Sequence, residues 1–529
     1  MASAGRGQQH RSETMEHRHS GCCGCSLEGM KRRSFLAALG GAAGAAAVTG
    51  CATSARERGA VTPRVRPTVA KKTLVVQPVL VAEIYQRREA TSWRPWGGIK
   101  TEGDVQTEMV RINRELAGLK AKAEFPLEIR PLEWVRGGDK AAALRDGDAD
   151  LMLIYGASGE LEPLLSDKRN NLVFVRHRSG PVYLWYEIVS PRLLRKTVDE
   201  LGQPGLMPAD VVVDDYEDVL WRMRACYALK NTVGSTVVCL GGASGWGEGG
   251  RKAPDISSTT WKMNLVNYPY EDLAKRIASA RNDPARVRRA EDDAKAYVDD
   301  PKVKLETDMG YVSRAFLLAE VFEDVMADHN TDVFTINNCM SVIMPMSETT
   351  ACLSLTLLND SGKLAFCESD FVVIPSGVLL HHVASTPVFL QDPTYPHHGV
   401  ITLAHCTAPR RMDGKTLEKA VIQTHFESDY GAAPKVEMCL GQTVTVIDPD
   451  FNNQRWIGFR GQVVENPAMD ICRAQVDVSI EGDCALLARE MRGFHWMLSY
   501  GDHLKETGYA LSKLGVGWLN LGTGNALEA

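Results

Sequence analysis

From Thr73 onward, short continuous apolar runs alternate with stretches whose apolar positions recur at helical spacing. The runs at 73–80, 127–135, 149–155 and 171–177 predict strands, and the stretches at 103–119 and 137–146 predict helices between them. Such alternation predicts a parallel sheet covered on both faces. A second round of the same rhythm fills about 206–358. It comprises strand 209–213, helix 216–231, strand 235–240, helical stretches 271–299 and 309–328, and strand 332–339. Beyond about 360 the period falls to two. Candidate strands there are 387–391, 399–406, 419–426, 435–448, 455–464 and 472–480, before a helix and a last strand within 502–522. Runs such as Gln442–Ile447 and Arg473–Ile480 predict antiparallel strands and a small barrel. The pattern predicts an α/β protein. Two Rossmann-like βαβ domains, 73–205 and 206–358, precede a mixed, mainly antiparallel C-terminal domain, 359–529, with few helices.

The first 72 residues lack this periodicity. Residues 1–29 are polar, with His17, His19, Cys22, Cys23 and Cys25 clustered at a spacing that matches no zinc module. They predict disorder or a segment that is not translated. Met30 is followed by Lys31-Arg32-Arg33-Ser34-Phe35-Leu36 and an Ala/Gly-rich apolar run to Gly50, the pattern of a twin-arginine export signal. Val48-Thr49-Gly50-Cys51 resembles a lipobox, which makes Cys51 a candidate lipidation site and membrane tether. Cleavage at a nearby Ala-x-Ala site, giving a soluble exported product, is the alternative. Residues 52–72 are rich in Pro, Arg and Lys and read as a linker. The expected location is periplasmic or membrane-anchored.

Composition narrows the partners. The chain has 529 residues and a formal net charge of −6, which gives no reason to expect a nucleic-acid partner. Nine of the 13 cysteines lie beyond Cys51, scattered and without a C-x-x-C pair. They predict buried free thiols rather than a zinc ribbon or a disulfide framework.

The candidate chemistry centres on 363–370, Lys-Leu-Ala-Phe-Cys-Glu-Ser-Asp. A short buried strand ends here in two carboxylates, Glu368 and Asp370, and an apolar run follows to His382. Acids at such a point are costly to bury and face a cleft, a cation or both. In an extended chain both lie on one side, within reach of one ion. The alternative is Asp370 as a helix cap and Glu368 as a solvated strand end. His405 and His425 end strands, and His495 stands in Gly493-Phe494-His495-Trp496; the doublets His381-His382 and His397-His398 read as surface or packing features. Carboxylates with one imidazole suit Mn²⁺ or Mg²⁺ better than zinc. Two loops bear on ligand binding. Trp93–Gly98 follows the first strand, where ligands bind in open α/β sheets, with a Trp-anchored structural loop as the favoured alternative, and Gly241–Gly250 lacks a phosphate-loop motif and reads as a flexible loop over a site.

Three stretches carry a family resemblance. They are Leu358–Gly362 through Phe366–Asp370 to His382; Ile401–Pro409 with His425–Ser428; and Phe494–His503. In this order, after two α/β domains, they resemble the L-fucose isomerase family, whose C-terminal domain is shared with L-arabinose-isomerase-like sugar isomerases. The resemblance implies aldose–ketose isomerisation through a cis-enediol, with Mn²⁺, or another divalent cation such as Mg²⁺, held by a Glu, an Asp and a His. Asp370 falls on the Asp and His495 on the His; Glu348 is the nearest upstream candidate for the Glu, with Glu368 as neighbour or substitute. Asp370, Glu348 and Glu368 would be catalytic, and His405, Trp93 and Trp496 would contact the sugar. A homo-oligomer, trimer or hexamer, is implied as well. An exported sugar-binding protein on the same fold, without turnover, is the alternative; a complete set of metal ligands favours the enzyme.

Overall fold

The computed structural model describes residues 66–527, apart from 67, 95, 137, 184–187 and 195–204. The export motif, Cys51 and most of the linker lie outside the described residues. The architecture is mixed α/β: two parallel sheets and a closed antiparallel barrel near the C-terminus.

The first sheet is parallel throughout and centres on Leu74–Val81. This strand pairs with Leu127–Ile129 and Glu133–Val135 on one side and with Leu151–Gly156 on the other. The predicted strand 127–135 is thus two strands, because Pro131 supplies no backbone donor between them. Helix Glu102–Lys122 begins at a capping box formed by Thr101 and Asp104. Asn170–Val175 and Val211–Val213 complete the sheet. Val211–Val213, expected to open the second domain, therefore closes the first sheet.

The second sheet has four parallel strands in the order Leu364–Phe366, Val333–Ile336, Thr236–Leu240, Asn264–Tyr268. Its edge strand Leu364–Phe366 lies beyond the expected boundary at 358. The acidic segment that follows it therefore hangs from the second sheet and does not open the C-terminal domain. The predicted helix 271–299 is two helices, Tyr270–Arg281 and Pro284–Val298; Asp283 caps the second and Pro284 occupies its first turn.

The barrel is a ring of six strands: Phe389–Pro393, Val400–His405, Ala474–Ser479, Arg455–Glu465, Thr443–Asp448 and Trp496–Tyr500. Trp496–Tyr500 pairs back onto Phe389–Pro393 and closes it, so the ring has no free edge. Alternate positions such as Val444, Val446, Ile457, Phe459, Val476 and Val478 are buried. The predicted strand 435–448 splits at Gly441, which takes φ +75. Its first residues, 435–437, instead end a strand Tyr430–Glu437 that pairs with Lys419–His425 in a small sheet beside the barrel.

One helix joins these layers. Ile374–Ala384 is almost wholly buried and packs against strand Leu364–Phe366, strand Trp496–Tyr500 and helix Tyr216–Thr232. The contact is close at Gly377, where an added Cβ would stand 2.6 Å from Met497 Cε and 2.7 Å from Phe366 Cε1. Gly377→Val is expected to lower unfolding free energy by about 1–3 kcal/mol through overpacking. Urea denaturation checks this, and unchanged stability would mean that the junction relaxes freely.

Candidate metal centre

The chain does not stay extended after Leu364–Phe366. Glu368 and Ser369 both adopt left-handed backbone, at φ 65° and 51°. For non-glycine residues this costs on the order of 1–2 kcal/mol each and marks a turn fixed by its surroundings. The side chains of Glu368 and Asp370 consequently diverge instead of sharing one side. Asp370 is fully buried beneath the glycine-rich loop. Its Oδ1 accepts hydrogen bonds from the Trp246 backbone N–H at 3.2 Å and the Val372 N–H at 3.0 Å. Its Oδ2 accepts from His495 Nδ1 at 2.8 Å. One oxygen thus does the local work expected of a capping residue, and the other orients an imidazole.

His495 stands just before strand Trp496–Tyr500 and is itself fully buried. With Nδ1 committed to Asp370, Nε2 faces Asp392 Oδ1 at 3.2 Å and Glu368 Oε2 at 3.5 Å. His495 Nε2 and Asp392 Oδ1 are both buried and pair chiefly with each other. His405, ending the neighbouring barrel strand, lies 3.8 Å from Glu368 Oε1 through Nε2 and meets the Thr407 hydroxyl at 3.2 Å through Nδ1. Ligand atoms of Asp392, His405 and His495 all fall within 4.8 Å of one another. The Trp246 indole donates to Glu368 Oε2 at 2.6 Å and so fixes the remaining carboxylate.

Three carboxylates, those of Glu368, Asp370 and Asp392, crowd around the buried His495, and such a concentration of acidic groups suits a cation. Asp392, His405 and His495 present one carboxylate and two imidazole nitrogens there, and Glu368 reaches both imidazoles from beside them. Their chemistry fits a divalent cation such as Mn²⁺ or Mg²⁺. The Asp370 contact fits too, since imidazole ligands characteristically donate their other N–H to a carboxylate.

Electrostatics agree with this arrangement. Burial acts to raise the Glu368 carboxyl, but hydrogen bonds and charge from His405 and His495 outweigh it and hold it well below the usual range. Burial acts to lower His495, yet Asp370, Glu368 and Asp392 push it up to about 10. Burial likewise opposes a charged His405, and Glu368 and Asp392 raise it above its ordinary value. Asp392 is raised by burial, with the two histidines opposing that shift. Protons therefore occupy the metal-free cluster at neutral pH.

The cluster floors a cavity of about 600 Å³, lined by Trp246, Asn337, Glu368, Asp392, His405 and Phe494 among others. Trp246 and Phe494 stack with centroids 4.8 Å apart and form a half-exposed aromatic lip. The loop Gly241–Gly250, expected over a site, supplies this Trp246.

The residues expected from sequence divide. Glu368, His405 and His495 meet in the cluster, and Asp370 joins it as the residue orienting His495. Glu348 does not: it ends helix Met344–Ser347 at φ 53°, is exposed, and pairs with Arg281 at 3.1 Å. The chain turns outward at this point, so Glu348 does not reach the cluster, whereas Glu368 stands beside His405 and His495. Trp93 carries the Arg94 guanidinium 5.5 Å from its ring centre and does not line the cavity. Trp496 is fully buried in the barrel, its indole N–H bonded to the Gly493 carbonyl at 3.1 Å, and is a core residue. Asp392 was missed. It lies one position past the predicted strand 387–391, and its signal is an acid closing an apolar strand just before Pro393.

No protein-family model matches the chain, and no curated protein matches it.

Two outcomes are expected of the centre. Asp370→Asn should weaken Mn²⁺ binding by about 10–100-fold through loss of imidazole orientation, measured by calorimetry. Because His495 titrates near 10 without metal, Mn²⁺ must displace its proton at neutral pH. Affinity should therefore rise by about tenfold per pH unit below that value for each proton displaced. Calorimetry in buffers of different ionisation enthalpy reads the released proton directly, and its absence would contradict the assignment.

Proposed function

We propose that the protein is a divalent-cation-dependent aldose–ketose isomerase, similar in its site to the L-fucose and L-arabinose isomerases, and exported through its twin-arginine signal. The observation that carries this reading is the gathering of Asp392, His405 and His495 within 4.8 Å of one another, with Glu368 beside both histidines, at a cavity with room for a monosaccharide. A bound Mn²⁺ or Mg²⁺ would supply polarisation of the sugar carbonyl and the adjoining hydroxyl.

The chain's own groups account for the proton movements. Glu368, kept ionised by two histidines, takes the proton from C2. Asp392, whose burial favours the protonated form, delivers one to O1 and so completes the cis-enediol. The second half runs in reverse: Asp392 recovers a proton from O2, and Glu368 returns its proton to C1. Two carboxyls whose surroundings drive their proton affinities apart are suited to this division of labour. His405 reaches a sugar hydroxyl, and the Trp246 face covers the C–H side of the ring. Asp370 acts by holding His495.

The completeness of the ligand set favours an enzyme over a binding protein without turnover. Rossmann-like character of the two parallel sheets, a trimeric or hexameric assembly and a tether through Cys51 belong to the same proposal.

The test is ketose formation from a panel of pentoses and 6-deoxyhexoses, with and without Mn²⁺. Asp392→Asn and His495→Ala should lower kcat by about 100-fold or more, and Glu348→Gln should leave it unchanged. Turnover that survives Asp392→Asn but is lost in Glu348→Gln would overturn the residue assignment. Sugar binding without turnover under any metal would turn the reading to an exported carbohydrate-binding protein.

A further inference from the structure

The same cavity has a second, chemically opposite wall. Cys352, Cys406, Cys472 and His425 line it, near His405 but sharing no residue with the Glu368, Asp392 and His495 set. Cys352 opens helix Cys352–Asp360. Cys406 follows strand Val400–His405, and Cys472 precedes strand Ala474–Ser479; the two strands are antiparallel neighbours with His405 opposite Ala474. His425 ends strand Lys419–His425. Three separate segments therefore bring Cys352, Cys406 and His425 to one place, and a fourth sets Cys472 beside them.

The geometry is that of an ion-sized cluster. Cys352 Sγ, Cys406 Sγ and a ring nitrogen of His425 lie within 4.8 Å of one another. Cys472 packs beside Cys352 and Cys406 at the edge of this group, which places a third thiol within a side-chain rotation of it. All are free cysteines, and Cys352, Cys406 and His425 are buried. His425 Nδ1 meets the Ser428 hydroxyl at 3.4 Å, which leaves Nε2 free to ligate.

We propose that Cys352, Cys406, Cys472 and His425 form a structural site for a thiophilic divalent cation of the Zn²⁺ type, separate from the Glu368–Asp392–His495 centre. Three sulfurs and one imidazole are a closed tetrahedral donor set for Zn²⁺, with no position left for substrate. Soft thiolates also discriminate against the hard cation suited to the carboxylates, so the two walls select different metals. Binding converts the three thiols to thiolates and releases their protons. The ion would clip the helix Cys352–Asp360 to the barrel and to the adjoining small sheet, fixing one side of the cavity.

The site is tested on the full chain, reduced and stripped of metal, by titration with Co²⁺ followed by Zn²⁺. The expected result is a thiolate-to-cobalt charge-transfer band with tetrahedral d–d bands, bleached by one equivalent of Zn²⁺. Cys406→Ser and Cys472→Ser should each lose the charge-transfer intensity or shift it, and Asp392→Asn should keep it. Cys472 is only partly buried, so Cys472→Ser decides the matter if Cys406→Ser fails to fold. Absence of the band in the reduced wild-type protein, its persistence unchanged in Cys472→Ser, or a Cys406–Cys472 disulfide without zinc in the protein as purified would each overturn the proposal. Failure of sugar turnover with the bands intact would count against the isomerase reading alone.

Discussion

The buried contact between Asp370 and His495 is the constraint on which the site depends. Both side chains are almost completely withdrawn from water, and they come from different layers, Asp370 from the end of the second sheet and His495 from the barrel. Burying an unpaired charge costs several kcal/mol, so neither residue is tolerable there alone. Their pairing ties the two layers together at one point. It also settles which imidazole nitrogen remains for the cavity. The left-handed backbone at Glu368 and Ser369 follows from the same demand, since the chain must turn sharply to send Asp370 inward and Glu368 toward the cavity.

Around that contact the donors are sorted by hardness. Carboxylates and imidazole gather where Glu368, Asp392, His405 and His495 meet, and thiols gather where the ends of Val400–His405 and Ala474–Ser479 meet. A single cavity touches both groups. The barrel makes this feasible: closing the ring places the ends of several strands at one rim, so each contributes one side chain without distorting the sheet.

Much of the fold was legible because it is local. Continuous apolar runs marked the parallel strands, and period two marked the barrel. The misreadings were at interruptions: Pro131, Asp283-Pro284 and Gly441 break elements that hydropathy alone runs together. Sheet membership was hidden for a different reason, since Val211–Val213 and Leu364–Phe366 are assigned by hydrogen-bond partners far away in sequence. The site was half legible. Glu368, Asp370 and His495 stood out as polar residues at apolar ends. Asp392 escaped because its role is set by strand pairing, and Glu348 drew attention by sequence order although its segment points outward to Arg281. The thiol cluster had no spacing to reveal it, because its four members sit on four separate segments.

The proposed position of the divalent cation is at His495 Nε2, between Asp392 and Glu368. Anomalous diffraction from crystals soaked in Mn²⁺ reads that position directly. The account predicts a single strong manganese peak bonded to His495 Nε2 and to oxygens of Glu368 and Asp392, with Asp370 still on His495 Nδ1. A peak beside Glu348, or no manganese at His495, would contradict it.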